Sequence, residues 1–294
     1  MKLSIITINY NNAEGLRKTL ASVAVQTYPD IEHIIIDGGS TDDSVDIIRE
    51  YAQCDASFAP FIVTSTTHSV NWSSEKDKGI YNAMNKGICK ATGDYCQFLN
   101  SGDTLASPDV TKCMMTEMDL LNAKRSTENE DTIDILYGDM LKIGVKIRNH
   151  RDHSGGDDGV TLNMFYRGCL NHSPAYIKRS LFEEYGLYDE TLKICSDWKF
   201  YMLSIVLGKA TTKHVPIIVT HFDMNGISET RKDILNEERN CLLKELVPQG
   251  ILKDYDRYHF PMSQYDRLKR HHLWGVVWFI ERVLFKLEKW GILK

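Results

Sequence analysis

Short apolar runs alternate with amphipathic stretches through the first half of the chain. Leu3 to Ile8 is a continuous β-rich run, as a central parallel strand requires. Tyr10-Asn11-Asn12 breaks it. Ala13 to Gln26 then places Leu16, Leu20, Val23 and Thr27 on one face, which predicts a helix, and Pro29 follows it. Glu32 to Asp37 reads as a second strand. Gly38-Gly39-Ser40-Thr41-Asp42 is the loop after it, with Thr41 or Asp42 capping a helix over Asp43 to Tyr51. This βαβα rhythm predicts a doubly wound parallel sheet. Phe61 to Thr66 and Val70 to Ser74 are further strand candidates. From Gly79 to Lys90 a helix is predicted, with Ile80, Ala83, Met84, Gly87, Ile88 and Ala91 inward. Its outward set is Lys78, Asn82, Asn85, Lys86 and Lys90. Tyr95 to Leu99 returns to a strand, and Pro108 opens a helix to about Leu121.

The second half is less regular. Asn122 to Asp131 lacks apolar periodicity and reads as a surface loop. Ile133 to Met140 and Leu141 to Ile147 read as two strands, and Asn149 to Gly159 as a long mobile flap. Thr161 to Tyr166 predicts a short helix, Ser173 to Ile177 a strand and Arg179 to Tyr185 a helix. Asp197 to Leu207 predicts an apolar helix, Val215 to Thr220 a strand and Ile234 to Leu246 an amphipathic helix. A basic helix rich in tryptophan is predicted from Gln264 to the end.

Composition narrows the function classes. The 294 residues, 43% hydrophobic and 26% charged, suit one large or two small folded domains. A net charge of -5 argues against a general nucleic-acid binder. The seven cysteines are odd in number and none stands in C-x-x-C spacing, which fits a reducing cytosol rather than a disulfide framework. MKLSIITINYNN does not have the pattern of a secretory signal, and no apolar run reaches the length of a membrane span. The first strand is followed by no glycine-rich phosphate loop, so a nicotinamide dehydrogenase or an ATPase is a poor reading.

Three carboxylates stand at positions where chemistry is done. Asp37 ends the second strand beside two glycines, where it can accept hydrogen bonds from a base or ribose or can simply close a tight turn. Asp103 ends Asn100-Ser101-Gly102-Asp103, a turn of oxygen-bearing side chains that suits Mn²⁺ or Mg²⁺; the plain alternative is a helix cap before Ser107-Pro108. Asp197 opens an apolar helix, as a cap or as a general base near a reacting hydroxyl. A histidine such as His172 is usually structural, and His150 and His153 match no metal motif. Trp274, Trp278, Phe279, Phe285 and Trp290, with Lys269, Arg270, Arg282, Lys286 and Lys289, make the last helix a candidate for an interfacial or a packed element.

From Leu3 to about Ser228 the chain resembles the family 2 glycosyltransferases of the GT-A fold. SIITINYNN is similar to the family's first strand and its nucleotide-contacting tip, and Ile34 to Asp42 to its acidic D-D-G-S-T-D segment. Ser74 to Gly87 is similar to a block of bacterial polysaccharide-assembly members. Phe98 to Asp103 falls where the family has its D-x-D-type metal motif. Asn171-His172-Ser173-Pro174 and Ser196-Asp197-Trp198 resemble acceptor-side blocks, and Asn225 to Ser228 the segment closing the catalytic domain. Gly38, Asn100 and Gly102 stand where the family has acids, and Met84 where many members carry an arginine.

The resemblance implies a Rossmann-like, mostly parallel sheet flanked by helices. It implies a catalytic domain over 1–228, with a nucleotide-sugar half at about 1–105 and an acceptor half at about 106–228, and a C-terminal helical extension over 229–294. It implies inverting transfer of a sugar from a UDP- or GDP-linked donor to a saccharide or lipid-linked acceptor in surface polysaccharide synthesis, dependent on Mn²⁺ or Mg²⁺. In that scheme Asp197 is the base and Asp103 holds the cation. Thr7, Asn9, Tyr10, Asp37, Asp77 and Asn100 bind donor and nucleotide, and His172 and Trp198 lie on the acceptor side. Peripheral contact of 264–290 with the inner face of the cytoplasmic membrane, and a homo-oligomer, are further expectations. A nucleotide-sugar-forming nucleotidyltransferase and a non-catalytic nucleotide-sugar-binding module are the alternatives.

Overall fold

A computed structural model describes residues 1–53, 68–144, 147–154, 159–224, 226–258, 271 and 274–290. The expected strand over Phe61 to Thr66, part of the 149–159 flap, Asn225 and residues 264–270 lie outside the described residues.

The first half builds β1 (Leu3–Asn9), α1 (Ala13–Ala24), β2 (Ile31–Asp37), α2 (Ser44–Ala52), β3 (Ser69–Ser74), α3 (Ile80–Lys90) and β4 (Tyr95–Phe98). β1, β2 and β4 are buried along nearly their whole length, which explains why they lack polar alternation. β3-β2-β1-β4 run parallel, with Leu3 opposite both Ile31 and Tyr95. Leu16 and Leu20 of α1 pack with Ile47, Ile48 and Tyr51 of α2 against Ile35, as the periodicity requires. α1 stops at Ala24, short of Gln26; Gln26 instead donates to the carbonyls of Ser22 and Ser107, tying the helix end to a later loop.

The second half continues the same sheet with mixed polarity. It comprises β5 (Thr104–Leu105), α4 (Val110–Thr127), β6 (Ile135–Gly144), β7 (Ile147–Asp152), α5 (Leu162–Arg167), β8 (Ala175–Lys178), α6 (Ser180–Glu184), α7 (Ser196–Tyr201) and β9 (Thr212–Asp223). The strand order is β3-β2-β1-β4-β8-β6-β9-β5, with β7 paired to β6. β8 is antiparallel to β4 and β6, and β5 to β9, whereas β6 and β9 are parallel.

Several elements differ from expectation, each for a local reason. α4 runs on to Thr127 through the segment expected to be a loop. Its last turn holds Lys124 and Arg125, favourable at a helix C-terminus, and Arg125 pairs with Glu130 at 2.9 Å. The two strands expected over 133–147 are one long β6, with the ribbon partner β7 beginning at Ile147. The first residues of the expected flap therefore belong to a strand. α7 gives way to a π-helical turn over Met202–Val206, where the Ser204 hydroxyl bonds the Phe200 carbonyl. Asn85 is buried, not outward.

The described chain divides into two compact units, Met1–Arg239 and Asn240–Lys294. α8 (Ile227–Thr230) and the start of α9 (Lys232–Leu246) belong to the first. The second contains the end of α9, a helix α10 over 249–258 and α11 (Trp274–Lys289). No described helix is long and apolar enough to cross a membrane.

Candidate active site

The tips of β1 and β2 are joined by polar side chains. Asn11, at φ 48°, accepts the Thr41 backbone N–H on Oδ1 and donates its own N–H to Ser40 Oγ. Asp42 accepts from Ala13 N at 3.0 Å and Ser44 N at 3.1 Å, so one carboxylate serves the starts of both α1 and α2. Gly39 sits at φ 78°, and a Cβ there would lie 3.2 Å from the Lys76 backbone nitrogen; this turn requires glycine.

Asp37 is fully buried and accepts five hydrogen bonds from the chain itself. They come from Asn9 Nδ2, the Ser40 hydroxyl, the Ser74 hydroxyl and the backbone N–H groups of Gly39 and Ser40. Burial pushes its pKa up, but the Ser40 and Ser74 hydroxyls and the other donors outweigh it and hold the carboxyl below its ordinary value. Asn9 is buried and oriented by the same cluster, whereas Tyr10 is exposed. A Cβ on Gly38 would stand 3.2 Å from both the Tyr10 ring and Asp77 Oδ2, so these two side chains close in on the Gly38 backbone. Asp77 pairs with Lys86 at 2.5 Å. Burial raises its pKa against the pull of Lys86, with Glu75 and Asp37 adding to the rise. Thr7 stands apart from this group: it is fully buried and its hydroxyl meets His33 Nε2 at 2.9 Å.

A cavity of about 670 Å³ lies further along the sheet. It is lined by Asn100, Asp103, His172, Asp197 and Trp198, five of the residues singled out in the sequence. The loop holding Asn100 is tied to the β1 tip by Asn12, which donates to the Ser101 carbonyl at 3.1 Å. β5, a two-residue strand with no periodicity to betray it, pairs Thr104 with His221 of β9. That pairing brings in Asp223, absent from the sequence-based candidates, whose backbone N–H donates to Asp103 Oδ1 at 3.0 Å. Gly102, at φ 109°, turns the chain between them. Asp103 is 5% exposed. Burial pushes its pKa up to about 7; the Asp223 N–H opposes the rise and the Asp223 carboxylate adds to it.

Asp197 sits in the first turn of α7 and lies 3.0 Å from the Tyr81 hydroxyl of α3. The same hydroxyl also reaches the Ile194 carbonyl, and its one proton serves either acceptor. Asn85 exchanges two hydrogen bonds with the Tyr188 backbone, and Asn82 and Asn85 both donate to Glu190. α3 therefore holds the segment that leads into α7. His172 stacks on Phe98 at 4.5 Å, and its Nε2 meets the Tyr188 hydroxyl at 2.8 Å. Burial lowers its pKa, with Asp197 pulling the other way. Trp198 is buried, and its indole N–H reaches the carbonyls of Phe165 and Gly168, anchoring α7 to α5.

Divalent-cation binding can be tested against these groups. Among the described residues no three acidic, histidine or cysteine side chains cluster as a protein-only metal site. Asn100 Oδ1 is, however, a buried oxygen with no partner, on the wall that carries the Asp103 carboxylate. Mg²⁺ and Mn²⁺ take hard oxygen ligands, commonly one or two from protein with the rest from phosphate and water, so the donor set fits.

Comparison with known proteins agrees with this architecture. Residues 4–123 match the family model described as glycosyl transferase family 2. An uncharacterized glycosyltransferase of Mycobacterium tuberculosis is 30% identical over 233 residues, 78% of this chain and 78% of the relative. The chain belongs to glycosyltransferase family 2. Staphylococcus aureus TarS 1–349 in complex with UDP-GlcNAc superposes with TM-score 0.58 at 18% identity, over 76% of this chain and 58% of that one. The mannosyltransferase PcManGT of Pyrobaculum calidifontis, in complex with GDP-Man and Mn²⁺, superposes with TM-score 0.53 at 16% identity, over 75% of this chain and 56% of that one. The fold is the GT-A fold, and the chain is a glycosyltransferase.

Proposed function

We propose that the chain is an inverting transferase that moves a sugar from a UDP- or GDP-linked donor to a saccharide or lipid-linked saccharide acceptor, in surface polysaccharide synthesis. The observation that supports this is one cavity joining Asp103, from the nucleotide side of the sheet, with Asp197, from α7. In this reading Asp103 and Asn100 would hold Mn²⁺ or Mg²⁺, which would supply Lewis-acid stabilisation of the negative charge on the leaving diphosphate. Asp197 accepts the proton of the acceptor hydroxyl as that oxygen bonds to the anomeric carbon and the bond from that carbon to the diphosphate breaks. One displacement inverts the centre without a covalent nucleophile. Tyr81 holds Asp197 in place, Tyr10 and Asp77 border the nucleoside site, and Asp37 and Asn9 fix the loop that shapes it.

The second unit supports a further part of the reading, contact with a membrane surface. Phe279, Phe285 and Trp290 are more than 60% exposed, and Arg282 and Lys286 share the helix with them. Such a helix suits the interface of an anionic bilayer.

The test has two arms. Thermal unfolding with UDP- and GDP-sugars, with and without Mn²⁺, identifies the donor. Transfer is then measured for Asp197→Asn, with an expected loss of about 10²- to 10⁴-fold in kcat and unchanged nucleotide binding. Near wild-type transfer by this variant would show that Asp197 is not the base. Asp103→Asn is expected to abolish the Mn²⁺-dependent part of nucleotide affinity, and an unchanged Mn²⁺ dependence would remove Asp103 from the cation site.

A further inference from the structure

The charged groups lining the cavity can be matched one by one. Lys142 pairs with Asp152 at 2.6 Å and Lys232 with Glu229 at 2.9 Å. Two carboxylates are left, Asp103 and Asp197, and both have work in the reading above. Two cations are also left, Arg167 and Arg239. Neither has a carboxylate partner among the described residues.

These two arginines stand on neighbouring elements beside Asp197. Arg167 is the last residue of α5, and its exposed guanidinium bonds to no described residue. Arg239, on α9, donates to the Arg167 carbonyl at 3.3 Å and to Asn236 Oδ1 at 3.1 Å. The residue before it, Glu238, accepts the backbone N–H groups of Lys193, Ile194 and Cys195 at 2.7–3.0 Å. Arg239 is thereby fixed at the segment that enters α7. Asn171 also lines the cavity, and its buried Nδ2 has no acceptor among the described residues. Two guanidinium groups and a spare amide N–H₂ are donors only, and they gather on the side of Asp197. Asp103 and Asn100 line the same cavity from the loop after β4.

We infer that Arg167, Arg239 and Asn171 form a subsite for a phosphate group carried by the acceptor, whose reacting hydroxyl then lies at Asp197. The acceptor is therefore a phosphorylated saccharide or a phosphate-linked lipid saccharide rather than a neutral glycan. A guanidinium binds phosphate through paired N–H donors, and two of them match the charge of a phosphomonoester or a diphosphate. The donor diphosphate is the competing occupant, and its charge is served from the Asp103 side. This inference rests on the assignment of Asp197 as the acceptor-side base.

Calorimetric titration tests it on the full chain, saturated with the nucleotide that the thermal screen selects and Mn²⁺. The probes are glucose 1-phosphate, octyl phosphate and the neutral methyl glucoside. Both phosphate probes are expected to bind, and methyl glucoside at least about tenfold more weakly. The tighter of the two phosphates tells whether a soluble or a lipid-linked phosphate is the source. Arg167→Gln and Arg239→Gln should each weaken the phosphate probes by about tenfold and change nucleotide affinity less than about twofold. Arg167→Gln keeps the test valid should Arg239→Gln unfold, because the Arg167 guanidinium anchors no described residue. Equal binding of methyl glucoside would overturn the subsite. So would a selective loss of nucleotide affinity in the arginine variants, which would give the pair to the donor diphosphate. Failure of every nucleotide to bind the wild-type chain would instead count against the donor reading. Titration with the phosphate probes alone would still decide the subsite.

Discussion

Asp37 and Asp103 are both buried, and their surroundings drive them in opposite directions. A carboxylate offers about four lone-pair sites, and Asp37 accepts five bonds from its own chain. Its charge is consumed in shaping the loop. Asp103 accepts the Asp223 backbone N–H while the Asp223 carboxylate stands near, so its negative charge is poorly compensated. A cation is the natural remedy for the second case and superfluous in the first. Glu32 gives a residue-scale test of the same physics. It accepts from Ser4, Thr92 and Gly93, and pairs with Lys2. Burial alone would raise its pKa, but Lys2, Ser4 and Thr92 lower it from 4.5 to about 2. A depressed folded-state pKa contributes stability that is present above about pH 4.5 and lost as pH falls toward 2, worth about 3 kcal/mol. Glu32→Gln should therefore be less stable than wild type at pH 7, and the gap in denaturant midpoint should close between pH 4.5 and 2. A gap that stays constant over that range would mean the charge is not what stabilises the site.

At the scale of elements, α3 connects the two halves of the site. Its sequence resembles a block of polysaccharide-assembly enzymes, and the structure gives that block a physical task. Gly79 starts the helix, Tyr81 reaches Asp197, and Asn82 and Asn85 fasten the 188–190 turn. Tyr81→Phe removes the hydroxyl and leaves the ring packed 5.6 Å from Tyr188. The expected outcome is a fall in kcat with donor affinity and thermal stability nearly unchanged. Unchanged kcat would show that Tyr81 only packs. Asn85→Ala leaves the buried N–H and carbonyl of Tyr188 unpaired and should cost about 1–3 kcal/mol in unfolding free energy. The periodicity of α3 identified Ala83, Met84, Gly87 and Ile88 of its buried face, but it omitted the buried Tyr81 and included the half-buried Ile80. It placed Asn85 outward because a polar residue at that phase is normally solvated, and only the arrival of the 188–190 turn buries it.

The whole molecule shows a sheet whose two halves were legible to different degrees. β1, β2 and β4 are buried parallel strands linked through amphipathic helices, so each carries its own hydrophobic signature. β5 and the full length of β6 and β9 were harder to see. A two-residue strand has no period, and β9 carries Pro216 across an irregular register with β6. The C-terminal unit makes a prediction at the same scale. Co-sedimentation of the full chain with phosphatidylglycerol-containing vesicles should exceed that with phosphatidylcholine, and should fall in Phe279→Ser/Phe285→Ser and at high salt. Equal recovery with both vesicle types and with the variant would remove the membrane contact from the proposed function.

The sequence by itself determined the doubly wound opening, the Asp42 cap after β2 and the three candidate carboxylates. Strand burial, helix phase and turn chemistry are local properties, written within a dozen residues. Family resemblance added their order along the chain. Tertiary structure alone decided which polar groups are already spent and which are still open. Thr7 is taken by His33 and Asp37 by its own loop, whereas Asn100 and Asn171 line the cavity and each keeps a buried polar atom unpaired among the described residues. It also brought Asp223 to Asp103 through β5, and Arg167 and Arg239 to the start of α7. Those pairings join residues 43 to 120 positions apart, and no local pattern in the chain encodes a contact at that distance.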